Sequence, residues 1–255
     1  MEAPSDAAAW LELIRSSMPP FWKLQAERCG GTIHEEDCAI AAIVPRSPRR
    51  SFFNSVFYED AERLLEGLDE IAAAYDGAGV KAWTVWVPEA DGAAALGLHQ
   101  AGHRLDATPR AMAMPIADLI SPVPDAELEI REEPDYELVS RMNEVAYGFA
   151  PGDFPVIEGE PEEMRVYIGC LDGEPVGCAG AFAHDEDCEL IYVAVLPEGR
   201  GRGVSRRLCA RALADAAEQG LRTTTLQATK LGYPVYEKLG YRDYGELQMW
   251  ERRRD

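Results

Sequence analysis

The sequence predicts an α/β (α+β) protein built as two tandem domains, and three observations carry that reading. Apolar runs of strand length alternate with segments of helical apolar spacing along the whole 255-residue chain. A single register relates the two halves. A glycine-rich strand-to-helix turn stands in the second half and has no counterpart in the first.

A leading helix is expected over residues 1–17: Ser5 or Asp6 can cap it, Ala9, Trp10, Leu13 and Ile14 share a face, and Met18-Pro19-Pro20 should stop it. Strands are expected at 38–44 and 51–58, an amphipathic helix at 60–75, a strand at 81–87, a short helix at 92–100 and a strand at 111–115. In the second half, strands at 174–182 and 189–195 precede a helix at 203–219. A strand at 222–227, a short helix ending at Gly240 and a closing strand at 245–252 follow. Setting Gly102 on Gly240 aligns Arg104 with Arg242, 38–44 with 176–182 and 51–57 with 189–195. About three residues of slippage are needed at the central helix and the next strand. The chain then divides into a first domain at 1–118, a linker at 119–127 and a second domain at 128–255. The prolines of Ser121-Pro122-Val123-Pro124-Asp125 favour an extended linker.

With 47% hydrophobic residues the chain can pack cores, yet no run approaches the roughly 18 apolar residues of a membrane span. The acidic start, Met1-Glu2-Ala3-Pro4-Ser5-Asp6, is unlike a basic secretory signal, so a cytoplasmic protein is expected. Six cysteines without a Cys-x-x-Cys pair read as reduced core residues. A formal charge of -20 argues against nucleic acid and anionic membrane as partners and would attract a cationic acceptor. His34, His99, His103 and His184 lack metal-ligand spacing; they read as surface residues, and no metal is expected. No His-Glu-x-x-His or Gly-x-Ser-x-Gly occurs, which removes common zinc-protease and serine-hydrolase readings.

The informative stretch is 189–207. A β-branched apolar run at 190–196 is ended by Pro197, and helical spacing resumes after Val204. Gly199, Gly201 and Gly203 therefore lie in the turn between strand and helix. Lacking Cβ atoms, they let several backbone N–H groups converge beside the unpaired donors and positive dipole end of the helix. That is a site for a phosphate or pyrophosphate, with Arg200 and Arg202 adding charge. The dinucleotide pattern Gly-x-Gly-x-x-Gly fails at Arg206, and no Gly-Lys-Ser/Thr follows.

What remains, Val193-Ala194-Val195-x-Pro197 and then Arg200-x-x-Gly203-x-Ser205, resembles the acyl-coenzyme A loop of the GNAT superfamily of N-acetyltransferases. The family's usual form is Gln/Arg-x-x-Gly-x-Gly/Ala, from which Ser205 departs. The resemblance implies two GNAT-like domains, each a mixed, mostly antiparallel twisted sheet flanked by helices, with acetyl-CoA as cosubstrate. Val193, Ala194, Val195, Arg200, Gly201, Arg202, Gly203, Val204, Ser205 and Arg206 would hold it. Thr229 would join them where the family often has Asn. It also implies a β-bulge at 192–195 that frees backbone groups for the pantetheine arm. In the first copy Glu62 falls opposite Arg200, Ser51 opposite Glu189 and Leu98 opposite Tyr236. That copy should be a scaffold without a cofactor of its own.

Acetyl transfer to an amine needs a base for the amine proton, a donor for the oxyanion and an acid for the departing thiolate. Glu189, a strand's length before the turn, stands where the family's protein-acetylating branch has its base, although a strand-start Glu can equally be solvated. Tyr236, in Tyr236-Glu237-Lys238-Leu239-Gly240-Tyr241, stands where the family's acid does, although such a Tyr can equally cover a helix. The expected activity is transfer of an acetyl group to a primary amine of a small molecule or peptide by direct attack, in a monomer or homodimer. Two rivals stay open: a synthase resembling mycothiol synthase, and a non-catalytic acetyl-CoA sensor. Asp153, Glu158 and Glu160, in the acidic Gly/Pro-rich stretch at 147–163, can meet a cationic amine or belong to a plain surface loop.

Overall fold

Helix α1 (Ala7–Arg28) runs through Pro19 and Pro20 in the computed structural model, which describes residues 4–254. The expected stop at Met18 does not occur, and residues 1–3 of the expected helix lie outside the described ones. Interior prolines each cost about 3 kcal/mol. Trp10, Ile14, Met18, Phe21, Trp22 and Ala26 are all buried along the helix, and burial worth about 1.5–3 kcal/mol per large side chain outweighs that cost.

The described residues form two units. One joins Pro19–Arg110 to the residues from Gly245 onward; the other joins the residues up to Met18 to Ala111–Tyr244. In the first, β1 (Thr32–Glu36), β2 (Ala39–Ile43), β3 (Ser55–Tyr58), β4 (Ala82–Pro88) and the closing strand β12 (Arg242–Arg253) lie side by side in that order. The pairs β1–β2, β2–β3 and β4–β12 are antiparallel, and β3 and β4 are parallel. Helices α2 (Ala61–Glu66), α3 (Leu68–Gly77) and α4 (Gly92–Gln100) cover this sheet, and β5 (Arg104–Ala107) pairs with β12. The expected strand at 51–58 begins only at Ser55. Buried Asn54 bends the chain there, accepting from the Val44 N–H (2.8 Å) and donating to the carbonyls of Ser47 (3.0 Å) and Arg50 (3.1 Å).

In the second unit the order is β7 (Leu128–Glu132), β8 (Met164–Leu171), β9 (Glu174–His184), β10 (Asp187–Val195), β11 (Thr223–Ala228), β6 (Arg110–Pro115). Strands β7 to β10 are antiparallel, and β10 and β11 are parallel. Helix α6 (Val204–Glu218) and the short α7 (Tyr233–Glu237) close one core through Leu208, Leu213, Leu226 and Leu239. Helix α5 (Tyr136–Tyr147) packs on β10. The closing strand pairs from Leu247 to Arg253 with β4, and β6 neighbours β11. Among the described residues no helix is long and apolar enough to cross a membrane.

Each unit holds a parallel pair, β3 with β4 and β10 with β11, and in the first unit the place beside it is filled. Ser55 pairs with Thr84, and the indole N–H of Trp86, two residues on, donates to Ser55 Oγ (2.9 Å). Trp86 lies against Trp22 and Phe52. Asp60 caps α2, its carboxylate accepting from the Arg63 N–H (3.0 Å).

His103 is not at the surface as its turn-like sequence predicts. It is 1% exposed, edge-on to Trp83, and neither ring nitrogen has a hydrogen-bond partner among the described residues. Burial, with Arg252 adding to it, lowers its pKa to about 4. Because the folded value lies below the unfolded one, the contribution is complete above about pH 6.5 and is lost as pH falls through 4. The chain should therefore lose about 3 kcal/mol over that window through this group. His103→Phe should remove most of that loss in urea titrations run at both ends of the window; an unchanged acid sensitivity would refute it.

Candidate active site

Strands β10 and β11 are paired for three rungs only: Asp187 with Thr223, Cys188 with Thr224 and Glu189 with Thr225. Beyond Glu189 the two parallel strands part. The other edge of β10 is irregular just beyond this point. Its register with β9 runs from Ile191 opposite Gly180 to Ala194 opposite Cys178, so β10 carries one extra residue. Tyr192 takes φ +51°, a left-handed conformation uncommon outside glycine. This bulge lies where the resemblance implies one, and it turns backbone groups of β10 away from the sheet ladder.

The glycine turn follows directly. Pro197–Gly199 makes a single 3-10 turn, Gly201 and Gly203 have φ of +76° and +72°, and Gly203 caps α6 without any side-chain hydrogen bond. A side chain at Gly203 would be strained by that φ, and its Cβ would lie 2.7 Å from Arg207 Nη1. Arg207 fixes the turn from beneath, donating from Nη1 to the Arg202 carbonyl (2.7 Å) and from Nε to the Val123 carbonyl (3.0 Å). Gly177 lets the helix approach: a Cβ there would lie 2.9 Å from Val204 and 3.0 Å from the Ala194 carbonyl. The helix start is thus open, with its donors free of a carboxylate cap, unlike that of α2.

Of the expected ligand-holding residues, those from Val193 to Arg206 lie along this strand end, turn and helix start. Val193 and Val195 are half-buried on β10, and the Val195 carbonyl accepts from Arg200 Nε (3.3 Å). Ala194 and Val204 are buried; Ser205 and Arg206 are half-buried in the first turn of α6, and Arg206 Nε has no partner among the described residues. Arg202 is exposed and paired with Glu127 (2.7 Å). Thr229 is exposed, and its hydroxyl accepts from the Gly232 N–H (3.2 Å) before α7.

Glu189 is at the vertex where the strands part. It is not a solvated strand end: it is 1% exposed. Gln227 Nε2 donates to its Oε1 (3.0 Å), and its Oε2 has no partner among the described residues. Burial pushes its carboxyl well above the ordinary range; the Gln227 bond opposes this and Asp187 adds to it. Asp187, two residues earlier and so on the same face, is also buried and accepts from the hydroxyls of Thr223 (2.7 Å) and Thr225 (2.6 Å).

Tyr236, on α7, is buried edge-on to Tyr241 at 5.8 Å between ring centres. Burial holds its phenol well above the usual value, with Cys209 and Tyr147 adding to the shift, so it keeps its proton at neutral pH. Tyr147, at the end of α5, donates to the Val193 carbonyl (3.0 Å). The stretch after α5 is pinned: Glu144 Oε1 accepts from the N–H groups of Gly152 (2.6 Å) and Phe154 (3.2 Å), and Phe154 packs edge-on to Tyr192. Asp153 accepts from the Ala150 N–H (3.2 Å), and Glu158 and Glu160 are exposed. Sequence reasoning missed Asn143, Tyr147, Cys178, Asp187, Arg207 and Gln227. Of these, only Asp187 carried a signal, its same-face spacing from Glu189.

Residues 127–241 match the family model described as Acetyltransferase (GNAT) family. N-acetylaspartate synthetase from Homo sapiens is 28% identical over 128 residues, covering 48% of this chain and 42% of that protein. The protein of the same name from Rattus norvegicus is 32% identical over 91 residues, covering 34% and 30%. The chain thus spans less than half the length of these relatives. Among solved structures, a GCN5-related N-acetyltransferase from Kribbella flavida superposes with a TM-score of 0.66 at 18% identity, covering 91% of this chain and 94% of that one. A tandem GNAT protein from the clavulanic acid biosynthesis pathway gives 0.57 at 13%, covering 84% and 78%. These two likenesses carry the fold: mixed, mostly antiparallel sheets flanked by helices. The family match covers the bulge, the open turn and the buried carboxylate, so residues 127–241 form a domain of the GNAT acetyltransferase family.

Proposed function

We propose that the second half binds acetyl-CoA along the parted edge of β10 and transfers its acetyl group by direct attack to a primary amine of a small molecule or peptide. One observation carries this: a glycine-opened, uncapped helix start directly follows a bulged strand whose parting from β11 begins at a buried carboxylate. Backbone N–H groups of the Gly201–Arg206 turn would take the pyrophosphate, and the Val193 and Val195 backbone the pantetheine arm. The arm competes with the Tyr147 hydroxyl for the Val193 carbonyl.

The chemistry follows from the carboxyl and the phenol. Glu189, directly or through a water, takes a proton from the amine, whose nitrogen attacks the thioester carbonyl carbon. A bulge N–H stabilises the oxyanion, the C–S bond breaks, Tyr236 gives its proton to the departing sulfur, and the phenolate left behind takes the remaining proton from the new amide nitrogen. A desolvated carboxylate is the stronger base for an ammonium-derived proton, and a phenol kept protonated is a competent acid. The first half would serve as a scaffold without cofactor: Asp60 occupies the helix start, and Trp86 fills the vertex.

Coenzyme A release across a panel of amines tests this: aspartate, which the name of the relatives suggests, a polyamine, an amino-thiol conjugate and a peptide N-terminus. Release with none, and no thermal protection by acetyl-CoA, would sink the reading. Tyr236→Phe should lower kcat about tenfold to hundredfold while leaving coenzyme A binding unchanged. Turnover equal to the parent protein's would remove the phenol from the mechanism.

A further inference from the structure

We propose that Cys178, with Asn143, is a positioning residue that holds the β10 bulge in the shape the acetyl thioester requires. The inference rests on the function proposed for this site. A bulge leaves backbone groups that the neighbouring strand cannot pair, and a buried unpaired carbonyl is costly. Here the neighbouring strand answers with a side chain. Cys178, on β9 opposite Ala194, donates its S–H to the Tyr192 carbonyl (3.3 Å). Asn143 Nδ2, from α5, reaches the same carbonyl (3.4 Å) and the sulfur (3.5 Å) while donating to the Val139 carbonyl (2.9 Å). The Ala194 backbone also hydrogen-bonds the sulfur.

These contacts are enclosed. Cys178 and Asn143 are both essentially inaccessible, and burial pushes the thiol up to about 12, so it remains an S–H donor. The carbonyl they hold belongs to the one residue of β10 with positive φ. The next residue, Val193, presents the backbone edge assigned to the pantetheine arm. A thiol that both donates and accepts can bridge the two sides of the bulge; an aliphatic side chain of similar size cannot.

Comparison of Cys178→Ala with Cys178→Ser tests the assignment. Alanine removes the bridge, whereas serine keeps a donor and an acceptor. In the alanine variant kcat should fall about tenfold, with KM for acetyl-CoA within about threefold because the pyrophosphate turn is untouched. Serine should recover most of kcat. The Tyr192 carbonyl carbon resonance should move in the alanine variant and stay close to its parent position in the serine one. Asn143→Ala gives the same expected split should Cys178→Ala not fold. Equal kcat in the alanine and serine variants, whether intact or lost, or an unmoved Tyr192 resonance in alanine, overturns the proposal. If the parent protein releases coenzyme A with no amine, the acetyl-transfer reading fails, and the Tyr192 resonance alone decides whether the thiol holds the bulge.

Discussion

Glu189→Gln should lower kcat/KM for the amine by about a hundredfold to a thousandfold, the range of a lost general base. The amide is nearly isosteric and can still accept from Gln227 Nε2, so the vertex between β10 and β11 should stay closed. In the parent protein the acid limb of the rate profile should lie above the roughly 4.3 of an ordinary glutamate, because burial raises this carboxyl. That limb should vanish from the variant's residual activity. Stability should change in the opposite sense. A carboxyl whose folded pKa exceeds its unfolded one contributes stability that is complete at pH below the ordinary range and lost as pH rises through the raised value. The variant should therefore hold its melting temperature better than the parent as pH increases. Activity within about threefold of the parent would remove Glu189 from the chemistry.

Gly203→Asp should abolish useful coenzyme A binding, by about a hundredfold or more in Kd, in a protein that still folds with a lowered melting temperature. Asp is among the residues that tolerate left-handed backbone, and the atom nearest its Cβ belongs to the Arg207 guanidinium, which can pair with the new carboxylate. That carboxylate would place negative charge among the donors meant for the pyrophosphate, as Asp60 does at the start of α2. Part of the loss should be recovered at high salt, since exposed charges are screened. Calorimetry with coenzyme A checks both points, and unchanged affinity would mean that the diphosphate does not lie at this turn.

The corner around Gly203 was legible in the sequence because one contiguous stretch carries it: strand, proline, glycines and helix, with Glu189 at one end. Tyr236 was legible as part of a local pattern. Gln227, Asn143 and Cys178 were not, because each acts on β10 from another element, and apolar period tells which face a residue takes but not its partner strand. His103 was misread for a related reason. Its neighbours Gly102 and Arg104 mark a turn, and nothing local announces the Trp83 ring that encloses it. The closing strand was found within a few residues, yet its pairing with β4 depends on contacts from the far end of the chain.

That pairing also sets an order of events during synthesis. The sheet built from β1 to β4 lacks its next strand until residues 245–253 have been made, so the amino-terminal unit cannot finish folding on its own as it emerges. The carboxy-terminal one, by contrast, already has β6 waiting. Contacts so distant along the chain slow assembly, and a polypeptide cut between residues 118 and 128 would leave each piece short of a strand it needs.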